Sequence, residues 1–169
     1  MEAEIVTIGD ELLLGTVVDT NSAWLGQELS QLGVMAKYRT TVRDDPESIE
    51  DALRRALSRA DLVITTGGLG PTVDDATKRS VTKIMKTRLV LDHRVLRAVE
   101  RHFEERGAPM PVISTQQALV PQGAKVLYNP VGTAPGLFFS SGEKLLFLLP
   151  GVPAEMKSMF EGAVVPVLR

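Results

Sequence analysis

The 169-residue chain contains no cysteine, which excludes disulfide staples, thiolate metal sites and cysteine nucleophiles. Its two histidines, His93 and His102, are too few for a polyhistidine metal centre and read as surface residues. Aromatic residues make up only 5% of the chain, so stacking platforms for single-stranded nucleic acid are not evident. No Lys/Arg run forms a basic stripe and the formal net charge is −2, which argues against a nucleic-acid-binding surface. No apolar run approaches the ~20 residues of a membrane span. The acidic start, Met1-Glu2-Ala3-Glu4, lacks the basic residues of a secretory signal. These absences point to a cytoplasmic protein that acts on small molecules, with neither nucleic acid nor a membrane as partner.

What is present is ordinary for a globular protein: 44% hydrophobic and 24% charged residues, enough for a core without staples. The length suits one domain of ~100–200 residues. No repeat, low-complexity tract or linker divides it, so residues 1–169 are expected to form a single domain.

Apolar runs alternate with amphipathic stretches, the pattern of an α/β sheet with crossover helices. Glu4 to Ile8 reads as a strand stopped by Gly9. Trp24, Leu25, Leu29 and Leu32 recur at helical spacing, and Gly33 closes that helix. Val34 to Val42 reads as a second strand. Asp45-Pro46 then supplies an N-cap and a proline at the first helical position, ahead of the Ile49, Leu53, Leu57 stripe. Leu62-Val63-Ile64 is apolar throughout, as a strand buried on both faces should be. Helices are expected from about Asp75 to Lys86, and around Val95, Leu96, Val99 and Phe103 up to Gly107. Glycine and proline punctuate the last third, so loops should dominate there. The exceptions are a hairpin of Leu137-Phe138-Phe139 with Leu145 to Leu149, turning at Ser140-Ser141-Gly142-Glu143, and a short helix from Pro153. Trp24 and the methionines read as core.

Ligands of open α/β sheets bind beyond the carboxyl ends of the parallel strands. Three segments therefore matter: Gly9-Asp10-Glu11-Leu12, Arg43-Asp44-Asp45, and Thr65-Thr66-Gly67-Gly68-Leu69-Gly70-Pro71-Thr72. Three glycines within four positions let backbone N–H groups approach an anion ahead of a helix N-terminus. A tight strand-to-helix connection would use glycine too. The segment is neither a Walker loop, lacking Gly-Lys-Ser/Thr, nor a Rossmann fingerprint, having Val73 in place of the last glycine. Asp45 reads as a helix cap, which leaves Asp44 as the candidate for chemistry. Asp74 and Asp75 suit a helix start through the dipole, but also a divalent cation shared with a phosphate.

Four motifs in order carry a resemblance that runs nearly end to end. Gly9-Asp10-Glu11-Leu12 with Asp19-Thr20-Asn21, and the glycine-rich segment with Asp74-Asp75, resemble the molybdopterin-binding (MoaB/MogA-like) superfamily. Asn129-Pro130-Val131-Gly132-Thr133-Ala134-Pro135-Gly136 and Leu149-Pro150-Gly151-Val152-Pro153-Ala154-Glu155-Met156 narrow it to the N-terminal domain of CinA, the competence/damage-inducible proteins. The resemblance implies a three-layer, Rossmann-like α/β/α domain with a mostly parallel sheet. It implies two central aspartates, matching Asp44 and Asp75, and glycine-rich loops that bind phosphates. The CinA branch is associated with metal-dependent hydrolysis of ADP-ribose- or FAD-type diphosphates. Typical members carry a further C-terminal deamidase domain, and that activity is not expected of residues 1–169. Asp10 makes the first motif look more like the molybdopterin-carrying relatives.

The expected function is therefore a metal-dependent nucleotide diphosphatase that releases AMP from ADP-ribose or a related dinucleotide such as FAD. Asp44 and Asp75 would be catalytic and, with Glu155, hold a divalent metal, magnesium or cobalt, with potassium as a further candidate. Gly67, Gly68 and Gly70 would cradle the diphosphate, while Gly132, Thr133 and Pro135 shape a nucleotide pocket and Gly151 allows a further close backbone approach. Gly9, Asp10, Glu11, Asn21, Thr66, Pro71, Thr72 and Pro153 complete the expected substrate contacts. Two alternatives stand beside it: molybdopterin binding or adenylyl transfer, and a non-catalytic nucleotide- or pterin-binding regulatory domain. In each case the partner is a small molecule, and relatives suggest a homo-oligomer.

Overall fold

The computed structural model describes residues 1–69 and 76–169. A six-stranded sheet in the order β2-β1-β3-β8-β7-β6 forms its centre. Strands β1 (Glu2–Ile8), β2 (Met35–Val42), β3 (Leu62–Thr66) and β8 (Lys144–Leu149) run parallel, whereas β7 (Gly136–Ser141) and β6 (Lys125–Leu127) continue the sheet antiparallel. The two-residue period of a strand sorts the core into two layers. Ala3, Ile5, Leu62, Ile64, Phe147 and Leu149 face α2 (Thr20–Gln31) and α6 (Pro153–Met159). Val6, Ile8, Val63, Leu146 and Leu148 face α3 (Pro46–Arg59), α4 (Ala76–Ile84) and α5 (His93–Glu105). Every residue of β3 is buried, as its unbroken apolar run requires.

The local signals act as expected at the helix ends. Asp45 accepts the Ser48 amide at 2.9 Å, and that amide, then the Ser48 hydroxyl, holds its carboxyl below the ordinary range. Gly33 closes α2 at φ +74°.

One helix was not foreseen and three expectations need correction. The segment after Gly9 is a one-turn helix, α1 (Asp10–Leu13), too short for periodicity to reveal. The last third is not mainly loop: a 3₁₀ helix (Val112–Ala118) leads into β5 (Leu119–Pro121), which pairs with β4 (Leu89–Leu91), and β6 follows. Strands of three residues leave too little alternation to read. Ser140 and Ser141 belong to β7, so the hairpin turn is only Gly142-Glu143. Helix α4 ends at Ile84, and Lys86 turns out of it at φ +52°; Asp75, its expected first residue, lies outside the described residues. Trp24 is half-buried, its ring edge-on to Phe160 at 5.4 Å.

One buried charge has no precedent in the sequence pattern. Glu4 is fully buried in β1, held by Arg59 at 2.7 and 2.8 Å and by Thr40 at 2.7 Å. Burial pushes its carboxyl up, but these partners outweigh it and leave it below the ordinary value of 4.5.

Candidate functional site

The carboxyl ends of β1, β3 and β8 open into a cleft of about 440 Å³. Its walls bring together Gly9, Glu11, Asp44, Gly67, Gly68, Thr133, Gly151 and Glu155, eight of the residues expected at a site. A smaller cavity of about 140 Å³ shares Glu11, Gly67 and Gly151 with it and adds Asn21, Thr66 and Pro153. Gly132, Thr133 and Pro135 line a third cavity. Asp10 lies outside all three, 3.5 Å from the Arg43 guanidinium. Gly70, Pro71, Thr72 and Asp75 lie outside the described residues.

The glycine turn is shaped by contacts that only a missing side chain allows. At φ +99°, a Cβ on Gly67 would fall on the Ile8 carbonyl oxygen. At φ +65°, one on Gly68 would fall on the Thr77 hydroxyl. A Cβ on Gly151 would sit 3.2 Å from the Gly67 Cα, so the two loops touch backbone to backbone. The Gly67 amide donates to the Leu149 carbonyl at 3.2 Å and is therefore spent on the sheet. Gly9 and Gly132 are committed likewise, to Val42 at 3.1 Å and Asn129 Oδ1 at 2.9 Å. Among the described residues, the amides of Gly68 and Gly151 make no hydrogen bond, so of the cleft glycines these two keep their N–H groups open to the cleft.

Several expected contact residues instead hold the rim together. Asn21 Nδ2 donates to Thr66 Oγ1 at 3.0 Å and to the Gly151 carbonyl at 2.8 Å, while the Thr66 hydroxyl donates to Pro150 at 3.0 Å. Glu155 accepts from Asn129 Nδ2 at 2.6 Å and packs beneath Gly132. Asn129 also binds the Val131 amide at 3.0 Å and the Ala134 carbonyl at 3.1 Å, fixing the whole Asn129–Ala134 loop.

Among the described residues, no group of three His, Asp or Glu side chains converges as a closed metal site. Asp44 and Glu11 do share the cleft wall. Hard oxygen donors of this kind suit a cation that takes its other ligands from phosphate and water.

Sequence reasoning missed the wall supplied by the segment between α4 and β6. Phe103, Ser114 and Gln117 line the cleft from there. The Gln117 Oε1 is buried and, among the described residues, has no hydrogen-bond partner. Beneath it Lys78, 1% exposed, approaches the Gln116 and Gln117 carbonyls at 3.4 Å and ties this segment to α4. Two adjacent glutamines in a three-residue-per-turn helix carry no pattern that would have marked them.

Among the described residues, no helix is long and apolar enough to cross a membrane. Residues 4–169 match the family model described as a probable molybdopterin binding domain. The chain is 49% identical, over its whole length, to a provisionally named competence-damage inducible protein of Caldicellulosiruptor bescii, of whose length it spans 41%. Among solved structures it resembles the protein CinA of Thermoplasma acidophilum, with a TM-score of 0.89 and 35% identity over 98% of this chain and 97% of that one. MoaB of Thermus thermophilus, a molybdopterin biosynthesis enzyme, shares the fold at a TM-score of 0.63 and 22% identity over 99% of this chain and 91% of that one. The chain belongs to the molybdopterin-binding-domain family, in its CinA-like branch.

Proposed function

We propose that this chain is a divalent-cation-dependent nucleotide diphosphatase, cleaving ADP-ribose or a related dinucleotide to AMP and a phosphorylated product. The observation that carries the reading is one cleft in which the unused Gly68 and Gly151 amides share a wall with Asp44 and Glu11. Backbone N–H groups bind phosphate oxygens without adding a basic side chain. Asp44, with Asp75 as the expected second carboxylate, would hold magnesium or cobalt. Such a cation neutralises phosphate charge and lowers the pKa of bound water. Glu155 serves the reading as the support of the Thr133 lip, through Asn129.

The test is product analysis after incubating the protein with ADP-ribose, and separately with FAD, with and without magnesium or cobalt. AMP appearing only with metal, and lost in a folded Asp44→Asn variant, is the expected result. No AMP from either substrate would refute the reading.

The family description favours a second reading, pterin binding or adenylyl transfer, which predicts AMP transfer from ATP to a pterin and little action on ADP-ribose. Tight binding without any product would instead mark a regulatory domain. Self-association is also proposed, through the exposed Leu14, Val17 and Val18, of which the two valines line the smaller cavity. A monomer by light scattering at micromolar concentration would count against it.

A further inference from the structure

Gln117 is the least explained side chain on the cleft wall. It is 2% exposed, yet its Oε1 accepts no hydrogen bond among the described residues. Buried polar groups are nearly always bonded, because an unmet acceptor away from water is costly. A solvated glutamine needs no protein partner, but burial to this degree denies Gln117 that outlet. The residue is not loosely held either. Lys78 Nζ approaches the Gln116 and Gln117 carbonyls at 3.4 Å, which fixes the backbone that carries the side chain.

The neighbours on this part of the wall narrow what the carboxamide serves. Ser114 stands one turn away on the same face of the 3₁₀ helix, and Phe103 joins them from α5. The carboxylates of the cleft come from other segments: Glu11 from α1, Asp44 from the end of β2 and Glu155 from α6. A phosphate only accepts hydrogen bonds, so it cannot meet Oε1. A metal ion is disfavoured by the Lys78 ammonium beside the Gln117 carbonyl. A sugar hydroxyl can donate, but it gains nothing from the Phe103 ring. A heteroaromatic ring with an amino group supplies both an N–H for Oε1 and a flat face for Phe103. An amine beside a ring nitrogen also matches the carboxamide as a pair, acceptor to donor and donor to acceptor.

We infer that Gln117 is the specificity residue of the cleft, reading the amino edge of a fused heteroaromatic ring seated against Phe103. Adenine and a pterin both present an amine beside a ring nitrogen. The inference therefore rests only on the cleft being the ligand site, and it holds whether or not a diphosphate is cleaved there.

Calorimetric titration with matched ligand pairs, in the presence of magnesium, tests it. AMP is compared with purine riboside monophosphate, which lacks the amine, and pterin with lumazine, which has oxygen in its place. At least one amino-bearing ring should bind tenfold or more tightly than its counterpart, and the pair that shows this identifies the ring. Gln117→Met keeps the length but not the hydrogen bonds, and should bring that pair within twofold. Gln117→Glu keeps an acceptor oxygen and should retain at least a threefold preference. Because the residue is buried, melting temperatures are taken on each variant, and Gln117→Asn, which withdraws the carboxamide by one methylene, replaces Gln117→Met if that protein does not fold. Ratios below twofold for both pairs in the wild type would overturn the inference, as would a preference that survives Gln117→Met or its replacement. AMP release from ADP-ribose on the same proteins judges the diphosphatase separately. Amine selectivity without hydrolysis sinks that reading and keeps Gln117, and hydrolysis without amine selectivity does the reverse.

Discussion

Replacing Gly67 by alanine should damage the protein more than any propensity scale suggests, and the structure gives the size of the excess. Two costs combine at this position. A non-glycine residue at positive φ pays about 1–2 kcal/mol. The new methyl group also meets the Ile8 carbonyl oxygen, a backbone atom that cannot rotate away, so β1 or the turn must shift. Forcing a methyl group into a filled space costs about 1–3 kcal/mol. Gly33 is the internal control: it has φ +74°, but a Cβ there meets nothing within 4 Å. Gly33→Ala should therefore lose only the first term and Gly67→Ala the sum, about 2–5 kcal/mol. At about 2–4 °C per kcal/mol for a chain of this size, the melting temperature should fall by about 2–8 °C in the control and by about 4–20 °C at Gly67. Differential scanning calorimetry on both variants, at the same pH and concentration, measures the difference directly. Equal melting temperatures would show that the Ile8 contact does not constrain the turn, and the account of why glycine stands there would fail.

Asp44→Asn should abolish metal-dependent AMP release while leaving the melting temperature within ~1 °C, because Asp44 is exposed at the cleft and lies outside the core clusters; retained turnover would remove it from the mechanism. Asn129→Ala, which deletes three hydrogen bonds within its own loop and one to Glu155 of α6, should cost about 1–3 kcal/mol by chemical denaturation and weaken ligand binding through Thr133. An unchanged denaturation midpoint would mean that the loop is held by packing instead. The Glu4 carboxyl is depressed by Arg59 and Thr40 against the upward push of burial, so its stabilisation is present above pH 4.5 and is lost as the pH falls through its lowered value. Glu4→Gln should flatten that acidic limb in melts taken from pH 6 to pH 3, and an unchanged slope would show that other carboxylates set it. Chelation with EDTA should weaken diphosphate binding at least tenfold in calorimetry, and identical isotherms with and without metal would contradict the role given to Asp44 and Glu11.

How much could be read in advance depended on the length scale of each signal. Asp45-Pro46 was legible because cap and first-turn proline act within four residues, and the structure shows that bond. The strand Leu62–Ile64 was legible because burial on both faces leaves a continuous apolar run. The strands β4, β5 and β6 were not, since three residues pair only because distant segments bring partners to them. The same reason hid Ser114 and Gln117: their place at the cleft depends on how the segment between α4 and β6 folds back, not on their neighbours in the chain. The glycine turn was legible as a close backbone connection, and its amides divide differently from the expectation. Sequence alone assigned its N–H groups to a ligand, whereas the Gly67 amide completes the β8 edge and its missing side chain is the feature that matters.

That redistribution bears on the chemistry. A cradle of three glycine amides could hold a diphosphate alone, but among the described glycines of the cleft only Gly68 and Gly151 offer unused amides. The ionisable groups described on the same wall are Glu11, Asp44 and Glu155, all acidic. At an effective dielectric of about 20, two like charges 5 Å apart repel by roughly 3 kcal/mol. A backbone N–H group, worth about 1.5–3 kcal/mol toward a charged acceptor, at most balances one such pair. An uncompensated diphosphate should therefore be excluded, and a diphosphate accompanied by a divalent cation admitted, because the cation turns the carboxylates from repulsive to attractive. A neutral pterin ring without phosphate needs no such compensation, but the ATP of an adenylyl transfer does. The electrostatics of the wall thus separate a phosphate-free pterin from any polyphosphate ligand by one variable, the dependence of affinity on divalent metal.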